Sequence, residues 1–153
     1  AWFEEQGAEA VGFGWINLRR TDAEPVLRLE DWPYDVTLPL GDEVADHFAR
    51  TEQLRSIHDR DLMFERPRRV ADVVQETLGE PGAEDPATIL VRRQRGIRRA
   101  RQVTTAEAAL VGACDGELSL FALSRAIDEL LGTATDLAPV VRELVADGFL
   151  TLS

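Results

Sequence analysis

Six arginines within ten residues are the sharpest chemical feature of this sequence: Arg92, Arg93, Arg95, Arg98, Arg99 and Arg101. Residues 87–101 hold no acid, whereas residues 1–86 carry 9 Arg against 20 acids and residues 102–153 carry 2 against 8. A guanidinium forks onto two oxygens at once, so such a cluster suits phosphate. The same cluster can instead pair with nearby carboxylates and pin its own segment in place. Parity separates the two roles. Residues 88–93 and 97–103 read as two strands joined by a turn at Gln94-Arg95-Gly96. Arg99 and Arg101 share parity with Ile97 and Val103 and lean toward an interface. Arg92, Arg95 and Arg98 are better placed to reach RNA or a phosphate.

The other reactive residue types do not assemble. His47 and His58 lie eleven apart, without the spacing of a zinc motif. There is no G-x-S-x-G and no Cys–His pair. Gly7, Gly12 and Gly14 fall in a strand-like stretch rather than between a strand and a helix, so the dinucleotide fingerprint does not apply. Cys114 is the single cysteine and has no disulfide partner within the chain, which suits a reducing cytoplasm. Its apolar helical setting makes it a buried small hydrophobe. The single Met and the aromatics are sparse and read as core rather than as a stacking platform. No catalytic, cofactor-binding or metal-binding residue is therefore expected here.

The elements that would position the arginines follow from patterning. Trp2-Phe3-Glu4-Glu5-Gln6 reads as a helix end closed by Gly7. Val11 to Arg20 and Val26 to Trp32 read as the arms of a β-hairpin turned at Thr21-Asp22-Ala23-Glu24-Pro25. The first arm is apolar or small on both parities, as in a strand covered on both faces. Helical spacing follows over 41–50, 52–63 and 68–78, and residues 80–86 form a loop by composition. Thr104 with Glu107 is a capping box opening a helix over 106–114. Ser119 opens a second helix that Gly132 stops, and Thr135 or Asp136 opens a third that Gly148 stops. Phe149-Leu150-Thr151-Leu152 begins a strand. Three short helices and a strand are the layout of a winged helix-turn-helix. The third helix would present Asp136, Arg142, Glu143 and Asp147, which is poor chemistry for reading DNA and better suited to a scaffold or protein contact.

Composition bounds the rest. A length of 153 residues with 44% hydrophobic residues allows one medium domain or two small ones. All 17 basic residues are Arg, which reads as a GC-rich bacterial coding sequence, and the net charge is −11. That charge disfavours nonspecific attraction to nucleic acid or an anionic membrane. No apolar run reaches the ~20 residues of a membrane span. The strand at Gly12 begins almost at the first residue, which is not Met, and its sheet partners are missing. The sequence reads as the tail of a longer protein.

Trp2-Phe3-Glu4-Glu5-Gln6-Gly7-Ala8-Glu9-Ala10-Val11-Gly12-Phe13-Gly14-Trp15-Ile16-Asn17-Leu18-Arg19-Arg20, followed by Val26 to Trp32, resembles the end of the catalytic domain in bacterial class I S-adenosylmethionine-dependent methyltransferases of the "methyltransferase small" group. Gly82-Ala83-Glu84-Asp85-Pro86, Arg93-Gln94-Arg95-Gly96-Ile97-Arg98-Arg99-Ala100 and Ala113-Cys114-Asp115-Gly116 are similar to that family's C-terminal extension. The resemblance implies an α+β chain in three parts. Residues 1–38 would hold the final helix end and last β-hairpin of the catalytic sheet, 39–86 a helical connector, and 87–153 a winged-helix-like domain. It also implies that the S-adenosylmethionine site and an Asn-Pro-Pro-aromatic tetrapeptide lie upstream, so no catalytic or cofactor residue carries over. The fragment alone would be inactive. Its partners would be the remainder of the methyltransferase domain and an RNA or protein substrate, in the cytoplasm and without a membrane, with a dimer available through the exposed hairpin edge. The alternatives are a nucleic-acid-binding winged-helix module and a purely structural protein-interaction domain.

Overall fold

The computed structural model describes residues 2–10, 12–82, 86–132 and 134–152. Within them the chain is α+β, with six helices and two small antiparallel sheets. The alternating run in β3 (Thr88–Arg93) points Ile89 and Val91 into the core. It pairs on one side with β2 (Val73–Leu78) and on the other with β4 (Ala100–Val103), with Val91 opposite both Gln75 and Arg101. The Thr104 hydroxyl accepts from the Glu107 amide and the Glu107 carboxylate accepts from the Thr104 amide, a complete capping box that opens α4 (Thr105–Ala113). Ser119 caps α5 (Leu120–Leu131), which Gly132 ends in the left-handed region at φ 69°. Asp136 accepts from the Ala138 amide at the start of α6 (Ala138–Ala146). Leu110, Leu120, Leu123, Ile127, Val141, Leu144 and Phe149 then close one core over the β3–β4 face.

After α6 the chain does not turn into a hairpin of its own. β5 (Leu150–Thr151) pairs with β1 (Arg68–Arg69), which lies far upstream. β2 and β3 likewise pair across residues 79–87, so the loop expected to divide the chain joins neighbouring strands. Residues 83–85 of that loop lie outside the described residues. Leu62, at the end of the short α3 (Asp59–Leu62), is also fully buried in this core. Among the described residues no helix is long and apolar enough to cross a membrane.

Three expectations are corrected. The helix expected over 68–78 is β1 and β2 instead, with a turn in which the Val73 amide donates to the Val70 carbonyl. Val70, Val73, Val74 and Thr77 are β-branched and stiff at χ1, and β3 offers them a six-residue edge. The connector expected to be helical over 39–86 is therefore helical only as far as Leu62. The two helices expected at 41–50 and 52–63 are α2 (Gly41–Ser56), running through both, and α3 after a break where Ile57 is extended.

The third correction concerns the N-terminal hairpin. α1 (Trp2–Glu5) and its stop at Gly7, φ 67°, are as expected. The described residues between Gly7 and Gly41 contain no strand, and Val11 lies outside them. An isolated two-stranded hairpin is marginal in water, and here neither arm has a further strand beside it. The hairpin edge that was to offer a dimer contact is consequently not formed. The arms are still extended and two-faced. Trp32, Tyr34 and Val36 alternate half-buried with exposed neighbours, while Ile16, Leu18, Leu27 and Leu29 stand 81–89% exposed.

Candidate functional site

Four of the six clustered arginines have carboxylate partners. Arg92 forks onto Glu76, with Nε 2.8 Å from Oε1 and Nη2 3.2 Å from Oε2, and lies over the Tyr34 ring at 5.4 Å. The Glu76 hydrogen bond raises the Arg92 pKa above its ordinary value. Arg93 donates to Asp72 at 2.8 Å and to the Gly148 carbonyl at 2.7 Å. Arg99 forks onto Glu30 and stands 4.7 Å over Trp32. Arg101 reaches Glu143, Asp147 and Glu107. Arg99 and Arg101 thus take a structural role, although the strand expected over 97–103 forms only as β4 from Ala100, so that Ile97 to Arg99 lie in the turn before it.

Of the three arginines expected to face a ligand, Arg92 is occupied and two remain. Among the described residues the side chains of Arg95 and Arg98 make no hydrogen bond or ion pair; Arg95 is tied only through its backbone amide, to Asp72. Arg98 sits in the turn between β3 and β4 at φ 50°, a left-handed conformation uncommon for a residue with a side chain. The charged face of α6 is engaged internally. Arg142 donates to Asp59 and to the Leu54 and Ile57 carbonyls at the end of α2, and Glu143 and Asp147 take arginines. α6 has no free set of basic side chains to lay in a groove.

The N-terminal segment is held against this turn by specific contacts. The Thr37 amide donates to the Gly96 carbonyl at 2.7 Å, and Trp32 Nε1 donates to the Ile97 carbonyl at 2.9 Å. Glu30 bridges Arg28 and Arg99, and Arg28 reaches Asp147 beyond the end of α6. The Arg99 hydrogen bond, over the opposing cost of desolvation and with help from Arg28, lowers the Glu30 carboxyl to about 2. A carboxyl whose folded pKa lies below its unfolded 4.5 stabilises the fold fully above that value, and the contribution is lost as pH falls toward 2. Glu30 is part-exposed, so solvent screening holds this contribution to about 1–2 kcal/mol. Glu30→Gln is expected to remove that much stability at neutral pH and only a small part of it at pH 2, read as the difference between the two proteins' urea midpoints. Equal offsets at both pH values would exclude the linkage.

Between these contacts lies a cavity of about 440 Å³. Its walls are Trp15, Trp32, Tyr34 and Phe13 from the extended arms, His47 from α2, and Ile97 and Arg99 from the turn. Tyr34 is also a wall of a second cavity, of about 240 Å³, that Arg92 and Arg98 line. His47 is shifted below its ordinary pKa, first by burial and then by the charges of Arg28, Arg50 and Arg99. These aromatics were expected to be core and are not; of the six Phe only Phe149 is fully buried. One signal was available: all three Trp and the single Tyr fall within the first 34 residues. Cys114 is buried as expected, with its thiol pushed up to about 12 by desolvation. Among the described residues no three His, Cys, Asp or Glu side chains gather in a metal-binding arrangement.

No curated protein matches this sequence. A family model does, and its match spans α2 to β5 and so runs across the loop at 80–86: residues 45–152, well over half of the chain, match the family described as Domain of unknown function (DUF7782), to which this chain belongs.

Proposed function

We propose that the chain is the C-terminal part of an S-adenosylmethionine-dependent methyltransferase, in which residues 12–32 complete the catalytic sheet and the DUF7782 domain recognises a substrate or partner. The observation that carries this reading is an excess of exposed apolar surface in the extended arms. A folded monomer of 17.0 kDa leaves about 7,700 Å² accessible, whereas this chain leaves 10869 Å². Among the described residues, seven of the sixteen exposed large hydrophobic side chains lie on the arms. Trp15 on the first arm and Arg28, Glu30 and Trp32 on the second line the cavity beside the domain, although Phe13, of the same parity as Trp15, is 99% exposed. The opposite side of each arm, with Ile16 and Leu18 on the first and Leu27 and Leu29 on the second, turns to water. Unpaired backbone edges flanked by apolar side chains on the outer face are what the last two strands of a sheet present when the sheet is absent.

The catalytic chemistry belongs upstream on this reading. No residue here is assigned to S-adenosylmethionine or to methyl transfer, and the 153-residue chain alone is inactive. The three helices α4 to α6 are compatible with a winged-helix-like body. With the charged groups of α6 engaged internally, recognition falls to other surfaces. The reading is tested on the coding sequence preceding Ala1, together with methyl transfer from labelled S-adenosylmethionine by the longer product. A class I sheet pattern ending in an Asn-Pro-Pro-aromatic tetrapeptide, and activity that requires it, is the expected result. A stop codon or an unrelated domain at that position removes the reading.

A further inference from the structure

We propose that the aromatic cavity and the adjoining Arg98 notch form one binding site for an unpaired nucleotide, the base lying among Trp15, Trp32 and Tyr34 and the phosphate reaching Arg98. The inference does not depend on the methyltransferase reading. It rests on four observations. The first is size and lining: about 440 Å³ with aromatic walls lies within the ~300–1,000 Å³ of small-molecule sites. Two of the three rings are held in place. Trp32 is fixed by its bond to Ile97 and by edge contact with Tyr34, with centroids 5.5 Å apart and planes at 81°.

The second is unspent hydrogen bonding. Among the described residues the side chains of Asn17 and Asp31, the Tyr34 hydroxyl and the His47 imidazole make no hydrogen bond, and all four line the same cavity. An amide, a carboxylate, a phenol and a neutral imidazole together offer donors and acceptors to the edge of a base. The third is the occupied face of Trp32. The wall carries Arg28 and Arg99 together with Glu30, Asp31 and Glu43, so its charge is mixed. With Arg99 already over Trp32, a second cation is disfavoured there, which argues against a methylated lysine or arginine as the occupant. The fourth is continuity. Tyr34 is the common wall of the two cavities, so a ligand stacked in the first extends past that ring to Arg98, which makes no ion pair among the described residues and lies in the field of Glu76. Asp35 also lines the notch, so the phosphate is read by Arg98 rather than by bulk positive charge. Base stacking on aromatic side chains is tolerant of sequence and suits either a single strand or a free nucleotide.

The test is a titration of the 153-residue chain, followed through the three Trp indole N–H resonances, with adenosine, adenosine 5′-monophosphate and a single-stranded hexa-adenylate RNA. Saturable shifts of Trp15 and Trp32, with Trp2 unmoved, are expected. Trp15→Ala removes an exposed ring and should weaken binding of all three ligands at least fivefold, near the lower end of a base-stacking contribution of ~1–3 kcal/mol. Arg98→Gly suits the positive φ at that position, so the turn is kept; it should weaken the monophosphate but leave adenosine unchanged. A hexamer at least tenfold tighter than the monophosphate identifies a strand as the ligand, and equal affinities identify a free nucleotide. Absence of saturation at about 5 mM monophosphate and about 0.2 mM hexamer, concentrations that would detect millimolar affinity for the monophosphate and a hexamer tenfold tighter, overturns the proposal. So does binding that survives both substitutions, or a trimethyl-lysine peptide that binds where the nucleotides do not.

Discussion

Arg93→Ala is expected to cost the fold about 2–4 kcal/mol, a large part of the ~5–15 kcal/mol that holds a domain together. The side chain is only 11% exposed, and it closes three junctions at once. Its Nε donates to Asp72 in the turn before β2, its Nη1 to the Gly148 carbonyl between α6 and β5, and its Nη2 lies 3.7 Å from Glu43 in α2. Removing it leaves two carboxylates, each 14% exposed, with one cation fewer between them and a carbonyl unsatisfied. Asp72 keeps the Arg95 amide and Glu43 keeps Arg50, so the loss is not the full charge-burial penalty. Arg93→Lys should recover little, because an ammonium cannot fork between Asp72 and Gly148. Urea denaturation of both variants checks this. A loss under about 1 kcal/mol for the alanine variant would mean that the sheet and the helices are held together by apolar packing alone.

That arginine also marks where the sequence stops being legible. Capping at Thr104 and Glu107, the start at Ser119 and the stop at Gly132 were readable because each is settled within about four residues. β3 was readable from its own alternation. β1 and β2 were not, since their strand character comes from partners at 88–93 and 150–151 that helical spacing over 68–78 does not reveal. The division of labour within the arginine cluster was half legible: Arg99 and Arg101 are structural as expected, but Arg99 precedes β4, so strand parity does not account for it, and Glu76 as the partner of Arg92 lies across the sheet. The aromatic cavity was illegible for the same reason. Trp32 and Tyr34 become a wall only when His47 and Ile97 arrive from elements that the sequence does not place beside them. The extended arms show the converse. Their strand pattern was visible, yet among the described residues no strand forms on them.

A double substitution on the arms, Leu27→Asp with Leu29→Asp, should separate the two lives of that segment. In the 153-residue chain both side chains already face water, at 81% and 83% exposure, so the substitution is expected to change stability by no more than about 0.5 kcal/mol. In the longer polypeptide that the proposal requires, the same leucines are buried against the catalytic body. Each contributes about 1.5–3 kcal/mol by burial, so the pair removes about 3–6 kcal/mol before the cost of placing two carboxylates there is added. The longer protein should then fail to fold or lose its methyl transfer, while the short chain melts unchanged. Leu118→Asp serves as the control, because Leu118 is also exposed, at 51%, but lies between α4 and α5, away from the arms, and should be neutral in both contexts. Damage confined to the longer polypeptide is the signature of a surface that another part of the protein covers. Neutrality in both would mean that Leu27 and Leu29 remain in solvent, and the excess apolar area of the arms would then have no partner in the sheet.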